Sequence, residues 1–278
     1  MSMDAVDRFY ERINNLPMLP KVVQEVTALL NDSEVDIKLL AHTIDHDQVL
    51  SARVLHMSNS AYFGCSRTIK TIEDAVSIIG LRNLKTLVIA SGVTKTITEV
   101  PGLDLNKFWL SSLITASVAR QLSKELKLDA ETVYIAALMH SIGQLPIHMV
   151  FPSAAEKIDW ECQAVGVLER CDIEQSMLGT DHCQIGEMLA KHWNFPEMIL
   201  RVIRYYADPF NQNACPLAPV VNAAVHIAHG LEVGKEPQFI LETLNANVAK
   251  KLRLDDLQEF LVKVETYQSL VEEAKAYV

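Results

Sequence analysis

The stretch Ala136–Pro146, AALMHSIGQLP, decides how this chain is read. Apolar residues run straight into His140 and Ser141 and resume at Ile142 and Leu145, so a polar pair stands at the end of a buried helical turn. A histidine so placed is a metal ligand, a general base, or a core residue with one satisfied hydrogen bond. The residue after it separates these readings: an aspartate would bring a ligand and a charge together, and serine brings neither.

Around this stretch the composition is that of a folded, helix-rich chain. Of 278 residues 49% are hydrophobic, enough for a sizeable core. The 10 glycines fall well below the usual share of about 7%, and Leu, Val, Ala, Glu and Lys dominate between short breakers, which predicts an all-α fold. A formal charge of −10 repels phosphate backbones, so nucleic acid is not expected as a partner. The cysteines Cys65, Cys162, Cys171, Cys183 and Cys215 show no C-x-x-C spacing and read as reduced thiols in a cytoplasm. Asp4, Asp7 and Glu11 stand where a secretory leader would be basic, and no run of about 18 apolar residues occurs, so neither export nor a membrane span is expected.

Breakers divide the chain into amphipathic segments. Those at 22–30, 37–44, 48–58 and 72–80 are followed by an apolar run at 84–93; Asp47 and Thr71 stand where N-caps are wanted, and Gly80 where a helix ends. Pro101-Gly102 is the sharpest break of the first half and places a boundary between an N-terminal helical subdomain, 1–100, and a second one, 101–278. In the second, 106–126, 131–139, 153–169, 181–192, 196–206 and 219–230 read as helices and 146–152 as irregular. The segment 255–278, with Leu257, Leu261, Val264 and Val271 at helical spacing, reads as a closing helix.

A metallohydrolase built on helices needs several His and Asp side chains converging on one or two cations. His140, His182 and His226 lie on such helices, but the carboxylates are missing. These residues carry a resemblance. LPMLPKVVQEV, IDHDQVLSARVLHMSNSAYFG and TIEDAVSIIGLRNLKTLVIASGV in the first half, with FWLSSLITASVARQL, AALMHSIGQLP, TDHCQIGEMLAKHWNFPEMILRVIRYY and VVNAAVHIAH in the second, are similar to the HDOD group. That group comprises the HD-related output domains of the HD/HD-GYP metal-dependent phosphohydrolase superfamily. The resemblance covers about Leu16 to Gly230 and implies a multi-helix bundle in which an N-terminal helical subdomain packs on an HD-like one.

Laid on this chain, the HD pattern puts its first ligand histidine on Ser111 and its His-Asp dyad on His140 and Ser141. The further histidine of the related cyclic-dinucleotide phosphodiesterases is kept at His182. Their later paired histidines correspond to Tyr205 and Tyr206, and the closing aspartate falls on or near Val225, beside His226. Serine hydroxyls and tyrosine phenols are poor neutral substitutes for ligands of a hard cation. No metal, cofactor or catalytic residue is therefore expected, and these eight positions read as a vestigial pocket.

Plainer readings stand beside each of these. His140 is a hydrogen-bonded core residue or touches a ligand; His182 follows Thr180 and Asp181, either of which caps a helix. His42 and His46 read as a solvated helix end, and Trp193 and Phe195 as helix-end packing before Pro196. Asn59, Ser60, Tyr62 and Phe63 form a helix exit that either locks the two subdomains together or faces a partner. Arg67, Lys70, Arg82 and Lys85 flank a segment loosely like a helix-turn-helix with Gly80 in its turn, read here as a solvated face beside the seam.

The function expected is that of a non-catalytic, cytoplasmic module of bacterial signal transduction. It would act through a protein partner of its pathway or a small ligand in the vestigial pocket, as a stand-alone output domain, since no receiver, kinase or GGDEF-like segment is visible. Two alternatives remain: a divergent phosphohydrolase using His140, His182, His226 and a carboxylate such as Asp181, and a nucleic-acid-binding regulator acting through Arg82 and Lys85.

Overall fold

The computed structural model describes residues 5–30, 36–60, 63–65, 67–253 and 267–275, and among these there are seventeen helices and no strand. The first half contains α1 (Ala5–Asn14), α2 (Lys21–Ala28), α3 (Ile37–Asp45), α4 (Gln48–Ser58), α5 (Ile72–Ile79) and α6 (Leu81–Thr96). In the second are α7 (Leu105–Glu125), α8 (Ala130–Leu138), α9 (Gln144–Val150), α10 (Pro152–Val165), α11 (Arg170–Leu178) and α12 (His182–His192). They are followed by α13 (Glu197–Tyr205), α14 (Ala218–Glu232), α15 (Pro237–Glu242), α16 (Ala246–Leu252) and α17 (Tyr267–Lys275).

Capping chemistry fixes many of the starts. Asp47 accepts from the Leu50 amide at 3.0 Å and Thr71 from that of Asp74 at 3.0 Å. Asp36, Asp104, Asp129 and Asp181 do the same for α3, α7, α8 and α12, each satisfying an amide that has no intrahelical partner. Gly80, at φ 85°, both ends α5 and precedes α6, a backbone conformation that a side chain would strain.

The core is continuous across both halves. In the second, α7 packs against α8 and α14, and the buried Arg120 of α7 meets Glu131 of α8 at 3.1 Å. From Leu84 to Thr94 every residue of α6 is buried, between α2, α4 and α8. The α5–Gly80–α6 segment therefore does not carry an exposed recognition helix. At the other end α1 crosses to α9 and α12: Phe9 meets Phe151 edge-on at 5.4 Å, and the indole of the fully buried Trp193 donates to the Pro17 carbonyl at 3.1 Å.

Two sequence expectations change, and a third falls largely outside the described residues. The segment 146–152 is not irregular, because Pro146 occupies the first turn of α9, where no backbone N–H is needed. Helix α11 has no counterpart among the predicted segments. Of the closing helix only Tyr267–Lys275 falls within the described residues, with Leu257, Leu261 and Val264 outside them.

Candidate functional site

The Ala136–Pro146 stretch forms the end of α8, a tight turn over 139–143, and the start of α9. The turn can be this tight because Gly143 lies against the first turn of α12: a Cβ there would stand 2.0 Å from the His182 carbonyl oxygen and 2.5 Å from the Gly186 amide nitrogen. Backbone-to-backbone contact of this kind brings His140 and His182 to one place.

His140 is 6% exposed, and its Nδ1 donates to its own helix at the Ala137 carbonyl, 2.7 Å away. Burial, reinforced by the positive charge of His182, lowers its pKa to about 4 against the pull of that carbonyl, so it is a neutral imidazole near pH 7. Ser141 is equally buried, and its hydroxyl meets that of Ser112 at 3.2 Å. The hydroxyl beside the dyad position is thus that of Ser112; Ser111, one residue earlier, bonds Glu232 on α14 at 3.2 Å.

His182 is held on both ring nitrogens. Its Nδ1 lies 2.6 Å from Glu174 Oε2, which also accepts the His182 amide at 2.6 Å, and its Nε2 lies 2.5 Å from the Tyr206 hydroxyl. Burial opposes a charge on this ring, but negative charge at Cys171 and Glu174 outweighs it and raises the pKa to about 10. Tyr206, 1% exposed, also sets its ring edge-on to His140 at 5.1 Å. One phenol therefore contacts both imidazoles, and burial keeps it protonated, far above its ordinary pKa.

Behind His182 runs a chain of linked polar groups, buried except at Asp159. Glu174, fully buried, takes Arg170 Nε at 2.6 Å; Arg170 reaches Asp159 at 2.7 Å; Asp159 lies 3.3 Å from His148, whose Nδ1 meets the Pro101 carbonyl at 3.3 Å. Burial would raise the Glu174 carboxyl, but His182 and Arg170 hold it below its ordinary value. Opposite charge lets Glu174 and Arg170 leave water, while Asp159 stays partly exposed.

A metal at this HD position does not fit these donors. Both ring nitrogens of His182 are engaged, by Glu174 and by Tyr206, and the residue after His140 is a hydroxyl bonded to another hydroxyl, so of these positions only His140, through Nε2, offers an imidazole donor. A separate trio of Cys171, His182 and Cys183 places potential donor atoms within 4.8 Å of one another, but its histidine is the same committed ring.

The other predicted positions lie elsewhere. Tyr205 is half-buried beneath the Arg204 guanidinium, 5.5 Å from its ring centre, and Val225 is packed in the core. His226 bonds the Ile240 carbonyl at 2.9 Å, and burial lowers its pKa. It lines a cavity of about 560 Å³ together with Asn222, His229, Lys235, Asp172 and Glu169. Asn222 is 4% exposed; its amide nitrogen donates to the Tyr206 carbonyl at 2.9 Å, and its Oδ1 has no protein partner among the described residues.

The predicted surface residues divide as well. Asn59 makes a two-way bond with Ile69, at 2.8 and 2.7 Å, which clasps the exit loop onto α4 within the N-terminal half. The Ser60 carbonyl accepts from the Phe63 amide at 3.2 Å, Phe63 is packed against the core, and Tyr62 lies outside the described residues. Arg82 does cross between halves, to Asp129 at 2.9 Å. Lys85 is not a surface cation: it is 5% exposed and donates to the Leu29 carbonyl at 2.5 Å. His42 and His46 stack edge-on at an exposed helix end, ring centres 4.3 Å apart.

The acid side of the stability profile follows from His140. Its folded pKa is depressed, so below the unfolded value of 6.5 the unfolded chain binds the extra proton and stability falls until about pH 4. The loss amounts to about 3 kcal/mol. Urea titrations from pH 7 to pH 4 measure it, and His140→Gln removes this contribution.

The helical bundle defines the class, and sequence comparison gives the family: an HDOD domain model matches residues 16–209, and the chain belongs to the HDOD family. A solved protein of Shewanella amazonensis SB2B, named provisionally as a phosphohydrolase, is 29% identical with a TM-score of 0.80, and 98% of each chain is covered. An HDOD domain protein of unknown function from Geobacter sulfurreducens is 26% identical with a TM-score of 0.78, covering 98% of this chain and 96% of that one. An uncharacterized protein of Treponema pallidum (strain Nichols) is 27% identical over 199 residues, 70% of this chain; the match spans 38% of that longer protein's length.

Proposed function

We propose that this chain is a non-catalytic regulatory HDOD module that works by binding. The observation that carries the reading is Tyr206, whose hydroxyl engages His182 Nε2 while Glu174 holds Nδ1, so that contacts within the protein occupy both nitrogens of that ring, and whose own ring abuts His140. Water activation by this superfamily's route requires that cation. The binding site we favour is the neighbouring cavity, lined by Asn222, His226 and His229 as polar groups, with Lys235 offering positive charge and Glu169 and Asp172 negative charge. A small polar ligand there would touch Asn222, which holds the Tyr206 backbone, and so would communicate with the relic site. Nucleic-acid binding finds little support, since Lys85 and the central part of α6 are buried.

Two measurements on the full chain test this. Hydrolysis of bis(4-nitrophenyl) phosphate in manganese, iron or zinc is expected to equal the protein-free rate, and activity lost in His140→Ala would refute the proposal. Native mass spectrometry after incubation with a bacterial metabolite extract is expected to show a small-molecule adduct that His226→Ala/Lys235→Ala removes. Absence of any adduct from the wild-type chain counts against the cavity.

A further inference from the structure

Cys171 on α11 and Cys183 on α12 place their sulfurs 3.4 Å apart, a separation that needs little closure to reach a disulfide's about 2.05 Å. Neither sulfur is idle in its surroundings. Cys171 Sγ lies 3.7 Å from His182 Nδ1 and Cys183 Sγ lies 3.8 Å from His182 Nε2, so the imidazole that Glu174 orients sits against both thiols. Their exposure differs: Cys171 is half-buried and Cys183 is 1% exposed. The function proposed above uses neither cysteine.

We propose that Cys171 and Cys183 form a peroxide-oxidisable dithiol, with Cys171 the attacking thiol and Cys183 the resolving one. The Cys171 thiolate attacks one oxygen of hydrogen peroxide. An S–O bond forms, the O–O bond breaks, and the departing hydroxide takes a proton and leaves as water. Cys183 sulfur then attacks the Cys171 sulfenic acid: the S–S bond forms, the S–O bond breaks, and the second oxygen leaves as water with the Cys183 proton. Two electrons pass from the two thiols to one peroxide. The environment assists the first step, because the hydrogen bond from Cys183 and the charge on His182 lower the Cys171 thiol to about 6 against the opposing effect of burial. Cys162, also half-buried, is an internal control, since burial raises its thiol. The disulfide would tie α11 to the first turn of α12 and draw on His182, the partner of Tyr206, so oxidation state would be felt at the relic site.

The test is peptide mapping of the reduced full chain after brief exposure to hydrogen peroxide and alkylation of the remaining thiols. The expected result is a Cys171–Cys183 linked peptide, forming at least about tenfold faster than any oxidation of Cys162, with Cys65 and Cys215 alkylated. In Cys183→Ser, a cyclic dione should trap sulfenic acid on Cys171. A wild-type map with all five cysteines alkylated, oxidation of Cys162 or Cys65 ahead of Cys171, or a zinc ion retained by the two thiols and shielding them from peroxide would each overturn the proposal. The wild-type map decides even where a variant folds poorly, and none of these outcomes depends on the chain being non-catalytic.

Discussion

Gly143→Ala should destabilise the fold by about 3 kcal/mol or more, the upper range for a forced contact in a packed interior. The position has an ordinary helical φ, so the effect is one of space rather than of backbone freedom. A Cβ would stand 2.0 Å from the His182 carbonyl oxygen and 2.5 Å from the Gly186 nitrogen, and both neighbours are backbone of α12 rather than the yielding end of a side chain. To admit it, α12 must move off the turn that carries His140, taking His182 and its bonds to Glu174 and Tyr206 with it. Chemical denaturation of wild type and variant measures the loss. Gly234→Ala, where nothing lies within 4 Å of the added carbon but φ is 71°, should cost only about 1 kcal/mol, from strain alone.

Glu174→Ala is the second large effect, expected at about 3 kcal/mol, because it takes a buried carboxylate from Arg170, which keeps Asp159, and from His182, which keeps Tyr206 and the Cys171 sulfur. The carboxylate is fully buried, takes Arg170 on one oxygen and the amide and ring of His182 on the other, and no water-exposed group replaces it. The loss should carry a pH signature. His182 has its folded pKa raised to about 10 from 6.5, so its contribution is fully present below 6.5 and is lost as pH rises toward 10. Glu174, with its folded pKa lowered, contributes above 4.5 and ceases to as pH falls. Glu174→Ala should flatten the alkaline slope, while Glu174→Gln, which keeps an acceptor but no charge, should show the same flattening with a smaller loss. Urea midpoints between pH 6 and pH 10 give the slope directly. An undiminished slope would show that the imidazolium is held by something else.

Much of the fold was legible because local chemistry and global packing agree. Asp47, Thr71 and Gly80 mark helix ends through capping alone, and apolar periodicity marks α12 and α13, whereas α4 buries Leu50, Val54 and Met57 and leaves Val49 in solvent. Where the reading failed, another force holds the helix. Residues 170–178 show no clear apolar stripe; Arg170 and Glu174, four apart, turn charge inward instead, a pattern legible only if both are assumed buried. Pro146 suggested a break because a proline's tolerance of a first helical turn depends on where the helix begins.

The site divides in the same way. His140 and Ser141 stood out in the sequence as a polar pair in an apolar run. Tyr206 was legible only as a missing histidine; that its hydroxyl would bond His182 depends on the crossing of α12 and α13, which spacing does not encode. Glu174, Asn222, Ser112, Cys171 and Cys183 were not singled out as site residues, since each is an ordinary residue until tertiary contact gives it a partner. Lys85 reads as solvated by type, but it sinks its long stem into the α2–α6 contact and spends its charge on the Leu29 carbonyl.

Metal content tests the central claim most directly. The full chain would be exposed to manganese, iron and zinc, desalted thoroughly and analysed by mass spectrometry, alongside His140→Ala and Cys171→Ser/Cys183→Ser. The account predicts almost no retained metal in the wild-type chain. About one or two equivalents per chain, kept by the double cysteine variant and lost in His140→Ala, would contradict it and make this a working phosphohydrolase centre.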